Sequence, residues 1–198
     1  MKELASVLTV LIVLTCALYY PVVARHSSDK QQQAAVEKGK LTKVVIFTFH
    51  VFTNDPVDGL RVEPTKVKEV VKALEGLPSV KIVDRNPEPP MFMVEFDTAK
   101  VDLGDLAKAV ATVKREVKEM PGVAALLLFD TVLNKELLKG GLSKEQQRRL
   151  GEALRKVKGV DPKHSEAMDD CVWVALDERG GAKLTEITAA IKIVRQEE

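Results

Sequence analysis

Few residues in this 198-residue chain have the types and spacing to do chemistry. His50 closes an apolar run and is followed by Thr53-Asn54-Asp55-Pro56-Val57-Asp58-Gly59. An imidazole with Asp55 and Asp58 close behind could bind a borderline metal such as zinc. The plainer reading is a strand end followed by a solvated Asn/Asp/Pro/Gly turn, and residues 130–142, the matching stretch later on, hold no histidine. Met91, Met93 and Cys171 add two thioethers and a thiol, the soft donors that suit copper(I). Asn54 and Arg61 are residue types used in acyl phosphate hydrolysis, but they form no motif. There is no trustworthy Ser-His-Asp order, no phosphate-cradling glycine loop and no GxSxG. The sequence points to no enzyme.

The elements that must position these groups come twice. Val70-Val71-Lys72-Ala73-Leu74-Glu75-Gly76-Leu77-Pro78-Ser79-Val80 lies without a gap over Leu150-Gly151-Glu152-Ala153-Leu154-Arg155-Lys156-Val157-Lys158-Gly159-Val160. At the same spacing Met91-Phe92-Met93-Val94-Glu95-Phe96-Asp97 lies over Cys171-Val172-Trp173-Val174-Ala175-Leu176-Asp177. With one residue inserted, the run from Leu103 to Val110 lies over that from Leu184 to Ile191. Three segments in one order, at spacings that differ by a single residue, mark a duplicated small unit.

In the first copy, periodicity predicts a strand over 44–51, then a helix from Pro64 to about Leu77 carrying Val67, Val70, Val71 and Leu74. Strands follow over 80–83 and 91–96, separated by the turn residues Asn86 to Pro90. A second helix is predicted over 102–119. The second copy repeats the order: strand 124–131, helix 143–157, a weak strand over about 160–167, strand 171–176, and a last helix on Leu184, Ile187, Ile191 and Val194. Ser143 and Gln146 form a capping box for the first of these helices. Each copy reads as βαββα, an α+β layer with two helices on one face of an antiparallel sheet.

Strand alternation puts Phe92, Val94 and Phe96, with Val172, Val174 and Leu176, on the helix-covered face. Met91, Met93, Cys171 and Trp173 then fall on the opposite face, with Leu126 and Leu128 joining them. An open sheet face should be polar, so this one calls for a cover. Met91, Met93, Leu126, Leu128 and Trp173 are therefore the expected interface, against the other copy or a protein partner. A soft-metal site from Met91, Met93, Cys171 and His50 is the alternative.

Lys72-Ala73-Leu74-Glu75-Gly76-Leu77-Pro78-Ser79-Val80-Lys81, with Val94-Glu95-Phe96-Asp97 and Leu103-Gly104-Asp105-Leu106, resembles the heavy-metal-associated domain family. The second copy resembles it through Ala153-Leu154, Lys158-Gly159-Val160, Val174-Ala175-Leu176-Asp177 and Leu184-Thr185-Glu186-Ile187. The resemblance covers about 44–194 and implies two tandem ferredoxin-like sandwiches, in a family whose members commonly carry copper(I). The family's metal is held by a CxxC at the start of the first helix. Counted back without gaps, those cysteines fall on Glu63 and Lys66 in the first copy, and on Ser143 and Gln146 in the second. Neither copy has a thiol there, which argues against the usual metal function. Both copies also carry an enlarged loop after the first strand, 52–62 and 132–142, and only four residues follow Val194, too few for the family's last strand. Either the copies share a strand or each sheet lacks one edge.

At the start, Lys2 and Glu3 precede an uncharged stretch over 4–20, and Val22-Val23-Ala24 ends it before Arg25. That is the pattern of a signal peptide, or of an uncleaved anchor over 1–24. A lipoprotein reading would need Cys16. Residues 25–42 are polar and read as a flexible tether, so the divisions are 1–24, 25–42, 43–122 and 123–198. Removal of the leader leaves Cys171 as the only cysteine. With 30 Lys and Arg against 29 Asp and Glu, and few aromatics, nucleic acid is not an expected partner. Together these observations predict an extracytoplasmic, secreted or membrane-anchored binding module for a protein partner or homo-oligomer, with no cofactor, or with copper or zinc in the alternative.

Overall fold

Period-two alternation of β-branched and aromatic residues builds the strands, and the apolar stripes of amphipathic helices cover one side of them. The computed structural model describes residues 41–55, 59–83, 90–118, 121–128, 141–169 and 171–196, all within the unit Ala34–Glu198. The first repeat supplies β1 (Leu41–Thr48), a 3-10 turn (Phe49–Val51), a hairpin of β2 (Phe52–Asp55) and β3 (Gly59–Val62), then α1 (Pro64–Glu75), β4 (Val80–Ile82), β5 (Met91–Asp97) and α2 (Leu103–Ala111). The second supplies β6 (Val123–Leu128), α3 (Lys144–Leu154), β7 (Glu166–Ala167), β8 (Cys171–Leu176) and α4 (Leu184–Gln196). The fold is α+β with four helices among the described residues.

Among the described residues, the two repeats do not form separate main sheets. Six strands make a single antiparallel sheet in the order β4-β5-β1-β6-β8-β7. The reason lies in the βαββα pattern itself, which pairs the first strand along one edge and leaves its other edge bare. β1 and β6 satisfy those bare edges on each other, which is the shared-strand alternative. One core results: Val44, Ile46, Phe92 and Phe96 join Ala125, Leu127, Val172 and Val174, covered by Leu74, Leu106, Leu150 and Ile187.

The seam has a local two-fold. Val45 faces Met93 within the first repeat and Leu126 faces Trp173 within the second, so Val45 and Leu126 are equivalent positions. Across the seam these two face one another, with Ile46 opposite Ala125. The helix layer closes the same seam. The Gly104 N–H on the first turn of α2 donates to the Ala182 carbonyl at 2.9 Å, so a helix of one repeat touches the turn that opens the last helix of the other.

Local differences from the expected elements have local causes. β1 starts at Leu41 and gives way to the 3-10 turn after Thr48, whose hydroxyl accepts the His50 N–H at 3.1 Å and donates to the Gly122 carbonyl at 2.9 Å. The first enlarged loop is in fact the β2–β3 hairpin; the second lies outside the described residues except at 141–142. α2 stops at Ala111 rather than near Glu119, because i→i−3 bonds tighten its end at Thr112 and Val113 and the Val113 carbonyl turns to His50. The weak strand of the second repeat shrinks to β7 and one bridge, Val160 to Leu176. The leader, most of the tether and the turn residues 86–89 lie outside the described residues.

Candidate functional site

The sheet face away from the helices is apolar where β1, β6 and β8 run side by side. Val45 and Phe47 from β1, Ala124 and Leu126 from β6, and Cys171, Trp173 and Ala175 from β8 project to it, and all are buried. Phe47 and Trp173 sit on strands separated by β6, and their rings still meet edge to face at 5.1 Å between centroids. The small Ala124, opposite both Phe47 and Ala175, leaves room for the rings to lean together. Phe49 continues the row, 4.9 Å from Phe47 and 5.5 Å from Phe52.

The expected interface residues do lie on this face, with different exposures. Met91, Leu126 and Trp173 are each 5% exposed or less, so within this chain they are interior residues and not surface. Met93 is half-buried, and Leu128 contributes its strand position only. Toward β4 the face opens. Val83, whose N–H donates to the Met93 carbonyl, is 39% exposed, and Leu41 is 58% exposed. The open part carries Lys43 and Glu95, paired at 3.6 Å, beside Lys81 and Asp97.

The soft-donor set of Met91, Met93, Cys171 and His50 does not assemble. Met91 and Met93 are on β5 and Cys171 is on β8, with β1 and β6 between them; three strand spacings amount to about 14 Å. The thiol's sulfur neighbour is instead Met168, with Sγ and Sδ 3.8 Å apart. Among the described residues, no group of three or more His, Cys, Asp or Glu side chains could hold a metal ion.

His50 is buried; of the turn residues read from the sequence as its partners, Asp55 ends β2 and Asp58 lies outside the described residues. Its two ring nitrogens face acceptors, Nδ1 at 2.5 Å from the Val113 carbonyl and Nε2 at 3.3 Å from Glu178 Oε1. Arg115 reaches the same carboxylate oxygen at 2.9 Å. Glu178 follows β8, so this cluster ties the first repeat to the second. Gly122 makes it possible: a Cβ there would lie 1.6 Å from Glu178 Oε1 and 2.7 Å from Arg115 Nη1. Glu178 stands 128 residues from His50, and nothing local in the sequence signals their meeting.

The positions where the resemblance places thiols are spent on helix starts. Glu63 is the N-cap of α1 and accepts the Thr65 N–H at 3.4 Å. Lys66 gives its ammonium to Glu116 at 2.7 Å, and that hydrogen bond holds the Glu116 carboxyl below the usual range. Ser143 and Gln146 cap α3 reciprocally, at 3.3 and 2.9 Å. An open groove along α1, lined by Val67, Lys68, Val71, Lys72, Glu75 and Gly76, has a volume of about 470 Å³ and no converging catalytic groups. Among the described residues no helix is long and apolar enough to cross a membrane. No protein-family model matches the chain, and neither the curated proteins nor the solved structures searched contain a match.

Proposed function

We propose that the chain is an exported, N-terminally tethered, non-catalytic binding module made of two divergent heavy-metal-associated-like repeats. In this reading each repeat is a ferredoxin-like unit whose last strand is replaced by the first strand of the other. The observation that carries the binding role is the apolar sheet face opposite the helices, which a two-layer α+β protein would normally leave polar. Its buried part is used within the chain. Its open part, the row of Val83 and Met93 beside β1, is what remains for docking.

The occupant we favour is a second copy of the chain. The rim of the open part carries both signs, Lys43 and Lys81 with Glu95 and Asp97, so it is complementary to itself under a two-fold. Sedimentation equilibrium of the purified chain tests this: a dimer is expected, and Met93→Asp with Val83→Asp should weaken it at least about tenfold by leaving charges in the contact. A chain that stays monomeric at all concentrations rules out self-association and turns the search to a different protein. A dimer indifferent to both substitutions removes this face from the proposal.

The thiol–thioether contact favours one second reading. Cys171 Sγ and Met168 Sδ are two soft donors 3.8 Å apart and suit a monovalent soft ion such as copper(I) better than zinc. Copper(I) titration against Cys171→Ser and Met168→Leu decides it. Stoichiometric binding lost in both variants supports a metal role on new ligands; unchanged or absent binding ends it.

A further inference from the structure

The two repeats close the far ends of their helix pairs differently. In the first, the start of α1 meets the segment after α2, and Lys66 at the third helical position finds the Glu116 carboxylate. In the second, the matching end is formed by the start of α3 and the end of α4. These helices pack together, and the turn leaving α3 at Gly159 touches the Gly181–Ala182 peptide entering α4. They therefore run in opposite directions, and the first turn of α3 and the last turn of α4 share the other end. Among the described residues, three buried side-chain nitrogens at this end have no hydrogen-bond partner: Gln146 Nε2, Arg195 Nε and Arg195 Nη2.

Their geometry is specific. Gln146 is 4% exposed, and its Oε1 accepts the Ser143 N–H at 2.9 Å, which fixes the amide at the N-terminus of α3 and leaves Nε2 to donate. Arg195 Nε and Nη2 form the side-on edge of the guanidinium, the pair that engages two oxygens of one carboxylate or phosphate. The N–H groups of Lys144 and Glu145 in the first turn have no intrahelical acceptor, and the helix dipole is positive there. The one acidic side chain in that turn, Glu145, is committed to Arg148 at 2.6 and 2.9 Å. The packing of the two helices brings both side chains to one end of the pair, and among the described residues no acceptor answers their buried donors. In the first repeat, Glu116 does.

We propose that this end of the second repeat binds a small oxyanion, a carboxylate or a phosphate, between Gln146 and Arg195 at the N-terminus of α3. The site is independent of the apolar sheet face. Glu197, which matches Glu116 in sequence with the one-residue insertion, lies outside the described residues.

Isothermal titration of the full chain with inorganic phosphate, and separately with acetate, tests the assignment in a buffer free of other oxyanions. Saturable binding of either ion is expected, and which ion binds distinguishes the two chemistries. Arg195→Lys keeps the charge but loses the side-on pair, and should weaken binding about tenfold or more; Gln146→Leu should weaken it as well. Circular dichroism confirms that each variant is folded. Binding unchanged in both variants overturns the site. Absence of saturable binding to the wild type overturns it too, as does binding that appears only in Glu197→Gln, which would assign the donors to the chain's own carboxylate.

Discussion

Replacing Gly104 by alanine tests the seam between the repeats with a single methyl group. A Cβ at this position would lie 2.3 Å from the Gly181 nitrogen, 2.8 Å from the Ala182 nitrogen and 3.1 Å from the Gly180 carbonyl carbon. All three are backbone atoms, so no rotamer change relieves the overlap, and the 180–182 turn must move away from α2. Overpacking of this kind costs about 1–3 kcal/mol. Moving the turn also weakens the Gly104 to Ala182 hydrogen bond, worth about 1 kcal/mol net. Against these stands the better helix propensity of alanine, about 1 kcal/mol. The expected outcome is a net loss of about 1–3 kcal/mol. Gly151→Ala on α3 is the matched control, because a Cβ there meets nothing within 4 Å. It should stabilise by about 0.5–1 kcal/mol. Urea unfolding followed by circular dichroism and by the fluorescence of Trp173, the only tryptophan, measures both. If Gly104→Ala proves as stable as the parent, the close approach of α2 to the second repeat is wrong and the seam argument fails with it.

Two further predictions concern polar groups. His50→Ala removes a buried ring and its contacts to Val113 and Glu178, and should cost about 2–4 kcal/mol in urea unfolding; a loss within error would mean that the cluster does not hold the repeats together. Burial, then the neighbouring Asp105, raise the Asp102 carboxyl above its ordinary value, with Lys183 opposing and Glu186 adding to the rise. The folded state thus holds this proton more tightly than the unfolded chain, and its contribution is present below pH 3.8 and lost as pH rises through the raised folded value. Asp102→Asn, still a good N-cap, should therefore be more stable than the parent at pH 7, with the advantage shrinking as pH falls through the raised folded value and gone below pH 3.8. Thermal melts across that range check it, and a variant less stable at pH 7 contradicts the sign.

Short-range patterns were readable. The alternation of Phe92, Val94 and Phe96 gave the helix-covered face, the heptad-like spacing of Leu184, Ile187 and Ile191 gave α4, and Ser143 with Gln146 gave the start of α3. What stayed hidden depended on distant partners. The bare edge of β1 could be recognised as a problem, but its pairing with β6 is a choice between sheet edges that no local pattern makes. The apolar period ran on through Val113 and Val117 and suggested a long helix. It is the demand of His50 for the Val113 carbonyl that accompanies the end of α2 at Ala111. The hairpin of β2 and β3 was legible in part: Asn54-Asp55 and Gly59 mark its turn, and Gly59 has φ of +79°. The candidate metal set failed because residue type was visible while strand order was not; Met93 and Cys171 belong to equivalent strands on opposite sides of the two-fold.

That two-fold has a consequence for how the molecule is assembled. Because equivalent residues Val45 and Leu126 meet on the axis, the contact between the halves is of the kind two identical chains would make. The protein is in effect a dimer written into one polypeptide, and the link between α2 and β6 acts as a tether that keeps the second strand at high local concentration. Severed there, each piece would carry an adhesive strand edge with two choices of mate: its natural complement or another copy of itself. Co-produced halves should then reconstitute the sheet, while either half alone should pair with its own kind or precipitate.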